Sequence, residues 1–291
     1  PKSLALDGNG YLLAGTDNGL YVYHNDVTPL QHIIHDSRNI QSLTNNIIWN
    51  IFADQEHNIW LGTDYGISLS RYNSALQFIP ISQITGTGDG NQFYSLFRDS
   101  KGFYWFGGTN GLIRFTDPAG DKHNAIWYRM GDKTYPLSHN RIRHIYEDKE
   151  QQLWIATDGS INRYDYATRQ FVHYNIVDST GTYNTNWTYY MFEDNAGHLW
   201  ISTCLGGIFV VDKHRLMQSA SGQYVAEQNY SVHNGLSGMF INQIIPDNEG
   251  NVWVLLYNNK GIDKINPRTR EVTKLFADEL NGEKSPNYLL C

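Results

Sequence analysis

An Asp followed six residues later by a Trp recurs along this chain at a nearly constant interval, and no other feature restricts the fold as strongly. The Asp stands at Asp7, Asp54, Asp99, Asp148, Asp194 and Asp247. The sixth residue on is Trp60, Trp105, Trp154, Trp200 or Trp253, with Leu13 in the first copy. Successive Asp positions differ by 47, 45, 49, 46 and 53 residues. Self-similarity at a period in the forties is the mark of solenoids and β-propellers, in which one supersecondary unit is stacked repeatedly.

Each copy reads as four short strands. In residues 47–81 an apolar run from Ile47 to Phe52 is followed by a polar turn, Asp54 to Asn58, and a second run, Ile59-Trp60-Leu61. After Thr63-Asp64-Tyr65-Gly66 come Ile67 to Tyr72 and Phe78 to Ile81. Runs of this length separated by turn residues are strand signals. In Asp7-Gly-Asn-Gly10, Asp99-Ser-Lys-Gly102, Asp194-Asn-Ala-Gly197 and Asp247-Asn-Glu-Gly250, Asp opens the turn and Gly closes it, as a type I β-turn prefers. The first strand lacks a clean period of two: Ile51 and Phe52, Leu96 and Phe97, and Ile244 and Ile245 are adjacent and apolar. Both faces of the sheet are therefore expected to be buried, as in a propeller blade packed between two others.

The whole phrase, apolar-x-x-Asp-x-x-Gly-x-Leu-Trp-Ile-Gly-Thr-x-x-Gly-Leu, resembles the two-component regulator propeller repeat of periplasmic sensors in gut Bacteroidetes. Residues 47–72 and 93–115 carry it best. Residues 142–164 depart from it at Asp158-Gly159-Ser160, where the Gly is one place early. Residues 187–211 and 241–265 carry extra loop residues, Cys204-Leu205 and Tyr257 to Lys260. The Trp-Asp dipeptide of one other propeller class is absent, and the double Gly of kelch repeats appears only at Gly107-Gly108 and Gly206-Gly207. The expected fold is an all-β propeller of four-stranded blades with six repeats visible, either six-bladed or part of a seven-bladed ring. Residues 1–291 are read as a single propeller domain. The open end at Asn287 to Cys291 reads as the start of another unit, and the chain as a fragment of a longer one.

The resemblance implies a larger setting. The family's periplasmic region holds two seven-bladed rings and an immunoglobulin-like domain, followed by a membrane helix and cytoplasmic kinase and receiver parts. The implied function is oligosaccharide recognition coupled to glycan-utilisation genes. The implied partners are the adjacent propeller, the immunoglobulin-like domain and a second copy in a homodimer of the full-length protein, an inner-membrane histidine kinase. The propeller itself is expected to be non-catalytic, and the membrane to be reached only through segments outside this sequence. A propeller lyase of the virginiamycin-B-lyase or polysaccharide-lyase kind is the alternative, since fold does not settle function.

Composition agrees with a large packed core: 41% of the 291 residues are hydrophobic. A net charge of −7 with 22 Lys and Arg argues against a nucleic-acid footprint. No apolar stretch approaches the roughly 20 residues of a membrane helix. Cys204 and Cys291 are too few to set a disulfide framework. Asn186-Trp-Thr188 and Asn229-Tyr-Ser231 are glycosylation triplets of the kind that arise by chance.

Chemistry-bearing motifs are scarce. His32-x-x-His35 lacks a third ligand at diagnostic spacing, the Asp-x-x-Gly turns lack the alternating carboxylates of a calcium loop, and no nucleotide or nucleophile-elbow motif is present. No metal and no cofactor are expected. Aromatics, at 14% of the chain, are the remaining signal. Five before each repeat Asp stand Trp49, Tyr94, Arg143, Tyr189 and Asn242; seven before stand Ile47, Gln92, Arg141, Trp187 and Phe240. In a propeller, first strands begin on the face where the loops between second and third strands turn. Trp49, Tyr94, Arg141, Arg143, Trp187 and Tyr189, with loop residues Asp64, Tyr65, Asn110 and Asp158, are thus expected to form a ligand-binding rim. Rings would stack on sugar faces while Arg, Asn and Asp bond hydroxyls or carboxylates.

Overall fold

The computed structural model of the chain describes residues 1–24, 28–72, 78–80, 91–116, 125–134, 136–219, 223–257 and 261–275. Backbone contacts divide it into two compact units, the first of residues 1–129 and 140–145, the second of residues 130–139 and 146 onward. The expected opening of another repeat at 287–291 lies outside the described residues.

Each repeat folds as one antiparallel sheet in which strands follow chain order, the blade topology of a β-propeller. Blade 1 is β1–β4 (Ser3–Leu6, Leu12–Thr16, Gly19–Tyr23, Gln31–Ile33) and blade 2 is β5–β8 (Ile48–Ala53, Ile59–Thr63, Gly66–Ser70, Phe78–Pro80). Blade 3 is β9–β12 (Phe93–Arg98, Tyr104–Gly108, Gly111–Phe115, Ile126–Tyr128). Blade 4 is β13–β16 (Ile142–Glu147, Leu153–Thr157, Ser160–Asp165, Gln170–Val177), and its first strand crosses from one unit to the other. Blade 5 is β17–β19 (Thr188–Glu193, His198–Thr203, Ile208–Asp212) with β21 (Gln228–Tyr230) as its outer strand. Blade 6 is β22–β25 (Ile241–Pro246, Val252–Leu256, Ile262–Ile265, Val272–Leu275).

The burial pattern explains the missing two-residue period. In blades 2, 3 and 4 the second strand is buried at every position, because each face of the sheet lies against other apolar side chains. Within the first unit, Trp60 of blade 2 packs on Phe93, Phe106 and Phe115 of blade 3. Within the second, Phe192 and Trp200 of blade 5 join Ile241, Ile244 and Val254 of blade 6.

The six-residue spacing from Asp to Trp is a hydrogen bond. One carboxylate oxygen of Asp54 accepts the backbone N–H of Glu56 and of Asn58, both 2.8–3.0 Å away, and so shapes the turn. The other accepts the indole N–H of Trp60 at 2.8 Å. The indole bond recurs from Trp105 to Asp99, Trp154 to Asp148, Trp200 to Asp194 and Trp253 to Asp247, at 2.7–3.0 Å. A buried indole needs an acceptor, and the turn carboxylate supplies it. In blade 1, where Leu13 has no N–H to offer, Asp7 shapes the turn alone. Burial works against the charge of Asp247, but bonds from Asn251, Trp253 and the Glu249 amide outweigh it and hold its carboxyl down to about 2. Trp60, Trp105 and Trp154 are wholly buried and Trp200 nearly so. Trp253 differs from the other four: it is half-buried, with the Lys264 ammonium 5.2 Å above its ring.

The turn's fourth position adopts a left-handed backbone, φ 83–86°, at Gly10, Gly102, Gly197 and Gly250. In blades 2 and 4 the same position is His57 and Gln151, at φ 62° and 61°. An L residue pays for that conformation where Gly does not. Gln151→Gly is therefore expected to raise the unfolding free energy by about 0.5–1 kcal/mol, read by denaturant titration. A second such position opens the third strand, where Gly19, Gly66, Gly111 and Gly207 have φ between 75° and 99°. The displaced Gly of blade 4 leaves Ser160 there at φ 79°, its hydroxyl bonded to that of Thr185.

The second unit has an insertion. After β19 come helix α1 (Lys213–Gln218) and β20 (Gln223–Val225), which pairs in parallel with β16 as a fifth strand of blade 4. Ser219 to Gly222 reads in the sequence as a hairpin, and residues 220–222 lie outside the described residues; β20 brings the chain from blade 5 back to blade 4. Lys213, the first helical residue, is fully buried, with Nζ 2.8 Å from Glu193 Oε1 and 3.2 Å from Asp148 Oδ2. Among the described residues no helix is long and apolar enough to cross a membrane.

Candidate functional site

The loops between second and third strands do sit beside the starts of the first strands. Backbone amides of Asp64, Thr109, Cys204 and Tyr257 donate to the carbonyls of Ile47, Gln92, Trp187 and Phe240, all at 2.9–3.0 Å. Each bond ties a loop to the residue seven before its blade's repeat Asp.

In the first unit the residues five before the repeat Asp form a continuous row across four blades. The Lys2 ammonium lies 3.9 Å over the Trp49 ring, Trp49 meets Tyr94 edge to face at 5.4 Å, and the Arg143 guanidinium covers Tyr94 at 5.5 Å. Asp64 fixes the middle of the row, one carboxylate oxygen accepting from Trp49 Nε1 at 2.9 Å and from Gln92 Nε2 at 2.6 Å. The Tyr94 hydroxyl donates to Gln92 Oε1 at 2.6 Å. The row thus has cations at both ends, two half-buried rings between them and a carboxylate beneath. Lys2 also pairs with Asp17 at 3.0 Å. Tyr65 and Asn110 are exposed on their loops, and the Asn110 amide donates to the Asn91 side-chain oxygen while its carbonyl accepts from the Arg129 guanidinium. Arg141 is exposed two residues before Arg143.

The second unit has a row of different chemistry. Tyr189 meets Phe240 edge to face at 5.3 Å, and Phe240 stacks on Tyr257 at 4.4 Å. Trp187 is 48% exposed and left-handed at φ 56°, its amide held by the Asp158 carbonyl at 3.0 Å. A bulky residue in that conformation is strained, and the surrounding bonds hold it there.

Lys2, Gln92, Phe240 and Tyr257 were not among the expected site residues. The signal was in the spacing: Lys2 is five before Asp7, just as Trp49 is five before Asp54. The two His of His32-x-x-His35 are turned to backbone carbonyls, His32 Nε2 to Asn18 at 2.6 Å and His35 Nδ1 to Leu43 at 2.5 Å. His32 belongs to a recurring device in which an outer-strand side chain bonds the carbonyl just before the third strand. His173 does this for Gly159, Asn229 for Gly206 and, in blade 3, Arg129 for Asn110. In the first strand of blade 4 two side chains have shifted protonation. Burial pushes the His144 imidazole down to about 3, so it is neutral, and burial pushes the Tyr146 hydroxyl up.

Comparison with known proteins matches these features. The model of the two component regulator propeller family matches residues 42–65, 87–110 and 136–159, which are the first two strands of blades 2, 3 and 4 with the segments leading into them. The chain is 95% identical to the extracellular domain of a putative hybrid two component system from B. thetaiotaomicron, with a TM-score of 0.72 over 100% of this chain and 39% of that one. A second extracellular domain of this kind from B. thetaiotaomicron, 22% identical, shares the fold with a TM-score of 0.74 over 98% of this chain and 35% of that one. Histidine kinase P4 of Formosa agariphila is 27% identical over 185 residues, 58% of this chain and 12% of that protein. The chain thus spans well under half the length of each of these three proteins. With its Asp-to-Trp turns, its blades and these matches, the chain carries repeats of the two-component regulator propeller family.

Proposed function

We propose that this chain is the periplasmic ligand-sensing propeller of a hybrid two-component sensor, and that its rim recognises an oligosaccharide whose binding governs glycan-utilisation genes. The row Lys2–Trp49–Tyr94–Arg143 is the observation that carries the reading. Aromatic faces suit the apolar faces of a sugar ring, and a cation at each end suits an acidic substituent such as a uronate or sulfate. Asp64 and Gln92 lock the rings before any ligand arrives, which lowers the ordering cost of binding. The propeller itself performs no catalysis, and the kinase activity belongs to other segments of the full-length protein. An adjacent propeller, an immunoglobulin-like domain and a second copy are its partners in this reading.

The experiment is calorimetric titration of a panel of neutral, uronate-containing and sulfated glycan fragments. Charge-assisted bonds of this type are worth about 1.5–3 kcal/mol. Arg143→Ala and Arg141→Ala are each expected to weaken binding of an acidic fragment about 10- to 100-fold. Binding unchanged in the combined Arg141→Ala, Arg143→Ala, Trp187→Ala variant overturns the rim assignment.

A further inference from the structure

The second unit holds a cleft that none of the rim residues line. Its volume is about 460 Å³, and its walls come from the loop after β16 (Asp178 to Tyr183), the segment joining β20 to β21, and the turn after β21 that carries His233 and Asn234. β16 and β21 are the outermost original strands of blades 4 and 5, so the cleft lies outboard, near the end where first strands begin. We propose that it is a separate binding site for a neutral sugar unit.

The chemistry of the lining disfavours anionic and apolar ligands. Among the described residues no Lys or Arg lines the cleft, while Asp178 and Glu227 do, so a phosphate, sulfate or uronate meets the wrong charge. Apart from Ala226 and the Tyr183 ring the lining is polar, which disfavours an apolar ligand. Both carboxylates are already engaged within the chain. Asp178 accepts from the Thr180 hydroxyl and the Tyr183 amide, and Glu227 accepts from the Asp212 amide and the Tyr224 hydroxyl. Neutral donors and acceptors face the remaining space. The Thr182 hydroxyl lies 2.8 Å from that of Thr180, whose single proton goes to Asp178, and the Tyr183 hydroxyl stands 3.4 Å from His233 Nε2. Hydroxyl, amide and imidazole groups around a cavity of this size fit a polyhydroxylated ring, whose every hydroxyl both gives and takes a hydrogen bond.

The walls are also set in advance. Tyr183 packs against the apolar core shared by blades 4 and 5, and the amide of Thr185 is tied to the carbonyl of Ile176 at 3.0 Å. On the other wall Ser231 and Asn234 bond each other's backbone in a reciprocal cap, and the Asn234 amide donates to the Asn229 carbonyl at 2.6 Å. A site that needs no ordering retains more of its contact energy as affinity.

The test is titration of the full chain with glucose, galactose, xylose and arabinose, followed by saturation-transfer NMR and calorimetry. At least one is expected to bind saturably in the millimolar range, as a single small sugar unit does. Tyr183→Phe keeps the ring that packs in the core, and His233→Ala changes an exposed residue, so both should fold. Each is expected to weaken that binding about fivefold or more. Glucuronate, repelled by Asp178 and Glu227, should not displace the neutral sugar. Trp49→Ala and Arg143→Ala should leave the site intact, which separates it from the rim. No saturable binding by any of the four sugars, or binding indifferent to both cleft variants, overturns the proposal.

Discussion

Trp105→Ala is expected to lower the unfolding free energy by about 3–5 kcal/mol, the cost of emptying a large aromatic from a packed core. Trp105 is wholly buried, and Asp99, 4% exposed, receives its indole N–H at 2.7 Å. The substitution removes contacts and also strands a carboxylate oxygen. Trp105→Phe separates the two effects, since it keeps most of the volume and loses the bond, at about 1–3 kcal/mol for the unpaired acceptor. Trp49→Ala should cost less than Trp105→Ala, because its ring is only half-buried. Denaturant unfolding of the three variants gives the order. If Trp49 proved the more costly, the division between packing and rim aromatics would fail.

Lys213→Met should cost a similar amount, about 3–5 kcal/mol, because breaking a buried ion pair leaves the other charges uncompensated. Met preserves the length of the stem, so the loss is one of charge. Asp148 and Glu193 would then share a dry site without a cation, and Asp148 is the same carboxylate that holds Trp154. Glu193→Gln in the Lys213→Met background should recover part of the loss. The pH dependence has a definite sign. Burial alone would lower the Lys213 ammonium, but its bonds to Glu193 and Asp148 win and hold it above the ordinary lysine value. A raised folded pKa contributes stability that is complete below the unfolded value, about 10.4, and lost as pH rises through the folded one. The parent chain should therefore lose stability across that alkaline window more steeply than Lys213→Met does. Parallel alkaline limbs would remove Lys213 from the account.

The blades were legible because a repeat presents the same evidence six times. Strand lengths, the Asp-x-x-Gly turns and the crowded apolar first strands all pointed one way, and the φ values of Gly10, Gly102, Gly197 and Gly250 bear the turn reading out. The partner of the Asp was not legible. A carboxylate accounts for a turn by itself, and nothing in the spacing says that its second oxygen reaches an indole six residues on. The turns read in the sequence as polar, yet Asp54, Asp99 and Asp148 are buried there. The starts of the first strands were legible as a set of offsets from each Asp, and Lys2 was missed because the count began at the second blade. The insertion was opaque for a different reason. Residues 213–225 add a strand to the preceding blade, and the buried environment of Lys213 is created by side chains that lie 20 and 65 positions earlier in the chain.

The Asp-to-indole bond also bears on how such a chain acquires its structure in time. It closes over six residues, within the hairpin of a blade's first two strands. A contact so near in sequence demands little loop-closure entropy, so each hairpin can zip on the microsecond scale of isolated hairpins without waiting for its neighbours. What remains slow is docking one blade on the next through pairs such as Trp60 with Phe106. Folding of this kind spreads along the chain from whichever repeat closes first, as stacked repeats do, and blade 1, whose Leu13 lacks the bond, is the one that must lean on its neighbour.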